Sequence, residues 1–124
     1  MDDATRVAIR NYLSKAREEL DATRLVISAN HHYIAVSRAY YAVFNGATAV
    51  LLTKGLIRAK HAGVQGALGE SFVKTGLIEP EYGRIFTLAR KAREQGDYSD
   101  QATYTQAFAE KHLADAERFV ARME

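Results

Sequence analysis

An all-α fold is predicted by three observations: apolar residues recur every three or four positions along most of the chain, glycines mostly punctuate that repeat, and proline occurs once. The repeat divides the chain into about five helices with short connections, which make a compact up-and-down bundle.

Ile9, Leu13, Ala16, Leu20, Thr23 and Ile27 step by four and three. They predict an amphipathic first helix over about 4–28, with Asp2 and Asp3 near its positive end. A break follows at Asn30. The second helix, over about 32–54, repeats Val36, Tyr40, Val43, Ala47 and Val50 on one face and adds Tyr41, Phe44, Leu51 and Leu52 beside it. Being apolar over most of its girth, it is expected to lie centrally and to leave apolar surface for a second copy of the chain. Gly55 is placed to end it in a left-handed turn, and the linker 56–60 carries Arg58 and Lys60. A third helix over about 61–74 buries Val64, Leu68 and Phe72 and stops at Gly76. Pro80 suits the first turn of a fourth, whose stripe of Tyr82, Ile85 or Phe86, Ala89 and Ala92 runs to Gly96. Thr103 with Gln106 reads as a capping box for a fifth, with Ala109, Leu113, Ala116, Val120 and Met123 facing inward.

The 124 residues fit one domain over 1–124, and 48% hydrophobic with 26% charged is ordinary for a soluble globular chain. With 17 basic and 15 acidic residues the net charge is +2, so no overall field recruits nucleic acid, and any phosphate site must be a local cluster. The absence of cysteine excludes disulfides and thiolate metal sites and suits a reducing compartment. The opening MDDATRVAIR is charged where a signal peptide needs an apolar core. The longest uncharged run, 39–53, contains Asn45 and Gly46 and falls short of the roughly 20 apolar residues that span a bilayer. The expectation is a cytoplasmic protein with no membrane partner. There is no glycine-rich phosphate loop, nucleophile elbow or metalloprotease signature, and no cofactor or metal is expected.

Charge is concentrated in two places. Arg84, Arg90, Lys91 and Arg93 make the fourth helix basic, with Arg84 and Lys91 on one face. In the second helix Arg38 is the sole charge between Ile34 and Thr53, and Arg38, Tyr41, Asn45 and Thr48 form a polar stripe. A buried charge needs a partner, so the stripe is either a structural network or the lining of a cleft. His31 and His32 diverge by about 100° on a helix, cannot chelate one ion together, and read as a solvent-facing helix start. His61 reads as a capping or surface residue, with a turn toward the cleft as its alternative, and His112 as a bundle-face histidine. Tyr33, Tyr40, Tyr82 and Tyr104 read as core or interface.

The segments AVSRAYYAVFNGATAVLLTKG, KHAGVQGALGESFVKTG and LARKAREQGDYSD, in this order, resemble the HEPN family of small helical domains, in particular its short bacterial and archaeal branch. The likeness runs from about residue 28 to the last helix. It implies a helical bundle that usually dimerises. It also implies kinship with metal-independent ribonucleases, often toxins encoded beside a small nucleotidyltransferase antitoxin. A second copy of the chain, such a nucleotidyltransferase, and RNA or a nucleotide are therefore the implied partners.

In active members of the family an arginine precedes a histidine by four to six intervening residues. Cleavage by a neighbouring 2′-hydroxyl needs a proton-transfer group with a pKa near neutrality, and the crowded phosphorane needs a fixed cation. Here Arg93 stands as the arginine, and Tyr98, after four intervening residues, stands where the histidine belongs. A phenol with a pKa near 10 is about 99.9% protonated at neutral pH, so it donates to phosphate but is a poor base. Asp97 beside it raises its pKa further. The resemblance thus implies an RNA- or nucleotide-associated domain of toxin and antitoxin type, with Arg93 and Tyr98 a degenerate catalytic pair, and the pattern of charge adds Arg38, Asn45, Arg84, Arg90 and Lys91 as candidate phosphate contacts. Two alternatives stay open: a non-enzymatic dimeric module that docks a nucleotidyltransferase or another partner, and a weak metal-independent ribonuclease using another base such as His61.

Overall fold

A computed structural model describes residues 1–96 and 104–124. Among them the chain forms five α-helices and one π-helical segment. The first, α1 (Asp3–Ser28), is capped by Asp2, whose Oδ1 accepts from the Thr5 amide at 2.7 Å. It ends in a Schellman motif: Asn30 is left-handed at φ 64°, its amide donates to the Ile27 carbonyl at 2.9 Å, and the His31 amide donates to the Val26 carbonyl at 2.8 Å.

The central element is α2 (His32–Leu52), which packs against every other helix of the bundle. Ala35, Val36, Ala39, Tyr40, Ala42, Val43, Gly46, Ala47, Ala49, Val50 and Leu51 are all buried along it. The predicted central position of this helix follows from that burial, while Ile34 is 44% exposed and Tyr41, Phe44 and Leu52 are half-buried. A second Schellman turn closes α2 at Gly55, φ 69°, where the Leu56 amide reaches back to the Leu51 carbonyl at 3.0 Å.

The predicted third helix is divided. α3 (His61–Leu68) passes into a π-helical segment, Gly69–Val73, in which the Lys74 amide bonds the Gly69 carbonyl at 2.8 Å. The wider turn adds a residue to the period and still brings Phe72 into the core, 5% exposed. Gly76, at φ 83°, then reverses the chain.

Pro80 opens α4 (Pro80–Gly96), which buries both Ile85 and Phe86 along with Ala89 and Ala92. At its end a Cβ on Gly96 would fall 2.1 Å from Cε2 of Tyr33 and 2.9 Å from the Tyr104 hydroxyl, so glycine is required there by close approach. The final helix is α5 (Gln106–Met123). Its N-cap is Thr105, which accepts from the Phe108 amide at 3.1 Å. This corrects the predicted capping box: Thr103 lies outside the described residues, and Gln106 is already helical, its amide group donating to Glu110 at 2.9 Å.

Tyr40, Phe86 and Phe119 are the largest fully buried side chains of the main core, and a smaller cluster of Ala35, Val36, Ala92, Tyr104 and Ala109 lies apart from it. His32, expected in solvent, is half-buried, and its Nδ1 donates to the Tyr104 carbonyl at 3.2 Å, tying the start of α2 to the approach to α5. No helix among the described residues is long and apolar enough to cross a membrane.

Candidate functional site

Tyr40 and Tyr41 leave α2 about 100° apart. That divergence buries Tyr40 completely and leaves Tyr41 half-buried. The last turns of α4 pass over both rings. The guanidinium carbon of Arg93 lies 5.6 Å from the centroid of Tyr40 and 5.2 Å from that of Tyr41, within the range of a cation–π contact.

Arg93 differs from the other half-buried arginines. Arg38 is paired with Glu19 at 3.0 Å, Arg90 with Glu94 at 2.8 Å, and Arg122 with Glu79 at 2.9 Å. Among the described residues no carboxylate pairs with Arg93. Ring faces are weak replacements for lost water, so this guanidinium is partly desolvated and gains from any anion brought to it.

His61 completes the cluster. It begins α3, whose cap residue is Lys60, and instead of capping or facing solvent its ring is turned in against α2. The ring lies 4.7 Å from Phe44, 5.4 Å from Tyr40 in a stacked arrangement, and 5.9 Å from Tyr41. Its Nδ1 shares a hydrogen bond with the Tyr40 hydroxyl. Burial, followed by the positive charges of Arg93 and Arg90, holds the imidazole below its ordinary pKa, with Glu94 opposing. Burial pushes the Tyr40 phenol up to about 12 against the pull of the same two arginines, so Tyr40 stays neutral.

Arg90 is held in place one turn before Arg93. Its Nη1 donates to Gln65 Oε1 at 3.0 Å, and Gln65 Nε2 donates to Thr87 Oγ1 at 3.0 Å, locking α3 to α4.

The polar stripe of α2 joins the cluster at one end. Arg38 lies 4.9 Å from the centroid of Tyr41, so one ring meets both Arg38 and Arg93. The charge of Arg38 is answered by Glu19 of α1, and Thr48 donates back to the Phe44 carbonyl at 2.9 Å. Asn45 is half-buried one turn beyond Tyr41. The basic residues of α4 are not one patch. Arg84 lines a groove of about 480 Å³ with Leu68, Val73 and Leu88, while Lys91 lines a separate cleft of about 300 Å³ with Phe108, Lys111 and His112. Tyr98 lies outside the described residues.

Sequence reading placed Tyr40 in the core and missed its polar end. A phenol on an otherwise apolar stripe needs a hydrogen-bond partner, and that need was the available signal.

The HEPN domain family matches this chain over residues 9–124. The chain belongs to the HEPN family. This HEPN domain is 41% identical over 118 residues to "Putative toxin MJ0605" of Methanocaldococcus jannaschii, covering 95% of this chain and 87% of that one. It is 34% identical over 116 residues to a "UPF0332 protein" of Thermotoga maritima, covering 94% and 88%. A second Methanocaldococcus jannaschii protein, "Putative toxin MJ0142", is 31% identical over 90 residues, covering 73% and 61%.

Proposed function

We propose that this HEPN domain binds RNA by seating a backbone phosphate against Arg93, and that it is the toxin-type half of a two-gene module working as a cytoplasmic homodimer with a small nucleotidyltransferase partner. The observation that carries the phosphate reading is the state of Arg93: half-buried, fixed on two tyrosine rings, and without a carboxylate among the described residues. A guanidinium so held presents its remaining donors in a fixed fork, the geometry that suits phosphate oxygens. The toxin reading draws on relatives bearing that name at 41% and 31% identity.

The test is fluorescence anisotropy of a short, labelled, single-stranded RNA. Arg93→Ala removes one charge-assisted contact worth about 1.5 to 3 kcal/mol, so affinity is expected to fall by roughly 10- to 150-fold. Arg84→Ala, an exposed charge in a different groove, should change it little. Equal binding by Arg93→Ala and the parent would dismiss the phosphate site and leave the domain as a module that docks a protein partner.

A further inference from the structure

The cleft between α4 and α5 holds an imidazole, a lysine and an apolar wall that the phosphate reading of Arg93 leaves unused. Leu88, Lys91, Ala92 and Gln95 recur at three and four along one face of α4, and Phe108, Lys111 and His112 do the same on α5. The two faces enclose about 300 Å³. Lys91 and Arg93 leave α4 about 200° apart, which separates this cleft from the tyrosine rings under Arg93.

His112 is 6% exposed and lines the cleft, and its ring nitrogens have no hydrogen-bond partner among the described residues. Leaving a buried polar group unbonded is costly, and native proteins rarely keep one without a use for it. Nε2 of His32 is sealed from solvent, whereas the nitrogens of His112 are not, so they open onto the cleft. Phe108 fixes the ring from one side, its centroid 4.6 Å away and its plane at 67°. Burial and then Lys111, with Asp115 opposing, keep the imidazole neutral near pH 7, with one N–H to donate.

The mouth carries one free cation. Lys111 is paired with Asp115 at 3.1 Å, but Lys91 is exposed and has no carboxylate among the described residues. Gln95, one turn beyond Lys91, adds an amide. The walls are apolar, Leu88 at 48% exposure on α4 and the half-buried Phe108 on α5. One free positive charge and one neutral N–H, with the Asp115 carboxylate beside Lys111, suit a monoanion and disfavour a dianion. A carboxylate is a monoanion that accepts from both donors at once. The volume stands at the lower end for small-molecule sites, room for about one ring.

We propose that this cleft binds a small organic acid, its carboxylate held between the Lys91 ammonium and the His112 imidazole and its flat apolar body held between Leu88 and Phe108. Lys91, singled out in the sequence as a candidate phosphate contact, takes a carboxylate here instead. The charged groups facing the imidazole are Lys111 and Asp115 of α5 and Lys91 of α4. An anion added to them favours the charged form of the ring, so binding and protonation of His112 strengthen each other.

The test titrates the full isotope-labelled chain with benzoate at constant ionic strength and follows the imidazole nitrogens of His112 and the methyls of Leu88 by NMR. Saturable shifts at both residues are expected at millimolar benzoate, and the pH at which His112 takes up a proton should rise. Benzamide has the shape without the charge and acetate the charge without the ring, and each should bind at least about tenfold more weakly. Lys91→Ala should weaken benzoate about two- to fivefold, the effect of an exposed charge, and His112→Leu, read at Leu88, at least about tenfold. Arg84→Ala, a like charge lining the neighbouring groove, should leave it unchanged. The site is overturned by an absence of shifts at His112 and Leu88, by benzamide binding as tightly as benzoate, or by equal losses in Lys91→Ala and Arg84→Ala. Phenyl phosphate binding more tightly than benzoate would overturn the carboxylate assignment. None of these outcomes bears on RNA binding through Arg93, which is read separately.

Discussion

Arg38 and Arg93 show how one side chain type takes two roles around a single ring. Both lie against the ring of Tyr41, but Glu19 answers the charge of Arg38, and the Glu19 side chain is only 21% exposed. Removing Arg38 would leave that carboxylate partly buried and unpaired. Fully buried pairs lose about 3 to 5 kcal/mol on such a truncation and exposed ones about 0 to 1, so this half-screened pair should lose roughly 1 to 3 kcal/mol in Arg38→Ala. Urea denaturation measures the loss, and pairing the change with Glu19→Gln should restore part of it. RNA affinity should move far less than in Arg93→Ala. A large affinity loss with no change in stability would assign Arg38 to the ligand instead. The polar stripe on α2 was legible in the sequence, because a lone charge in an apolar helix stands out. Its partner was not, since nothing in the spacing of α1 singles out Glu19 from its acidic neighbours.

At the scale of elements, the end of α4 depends on a residue that contributes no side chain. Gly96 is not in the left-handed region. Its hydrogen faces Tyr33, and Tyr33 meets Tyr104 edge-on at 5.4 Å, while the Tyr104 hydroxyl donates to the Ala92 carbonyl at 2.9 Å. Gly96→Ala should therefore cost about 1 to 3 kcal/mol through overpacking, even though alanine is the better helix former. A thermal melt in which Gly96→Ala is as stable as the parent would show that the two tyrosines give way freely. The sequence made helix ends legible wherever local chemistry decides them: Asn30, Gly55 and Gly76 all have the positive φ that their types favour. It failed where a distant contact decides. The π-helical segment at Gly69–Val73 follows from how Phe72 must enter the core, and the inward turn of His61 follows from the Tyr40 hydroxyl on another helix. The candidate site was legible to the same degree. Arg93 was singled out because it stands where active members of the family carry their arginine, and its ring platform was not foreseen, because Tyr40 and Tyr41 lie about fifty residues earlier.

Across the whole molecule, two histidines couple folding to pH. His61 is held below its ordinary value of 6.5 by burial and then by Arg93 and Arg90. His112, only 6% exposed against Phe108, is held below the same value by burial and then by Lys111, with Asp115 opposing. Both groups resist protonation in the folded state while the unfolded chain does not. Above 6.5 the two states bind equal numbers of protons at these sites and the contribution to stability is complete. As pH falls below 6.5 the unfolded chain takes up protons that the folded chain refuses, and stability declines until the folded values are passed. The carboxylates act later. Glu79 is lowered from 4.5 by Arg122 and Asp2 from 3.8 by the Thr5 amide, so their contributions stay intact until the pH falls below those values. Loss of stability should therefore begin with the histidines, below pH 6.5 and before these carboxylates contribute to it. Thermal midpoints compared at about pH 7.5 and about pH 5.5 sample the histidine contribution before these carboxylates begin to titrate. His112→Leu keeps an apolar side chain in the same cleft between α4 and α5 and should narrow the difference between the two midpoints, and adding His61→Asn should narrow it further. If the double variant loses as much stability as the parent over that interval, the acid sensitivity arises from the carboxylates and their ion pairs, and neither imidazole is buried in the neutral form.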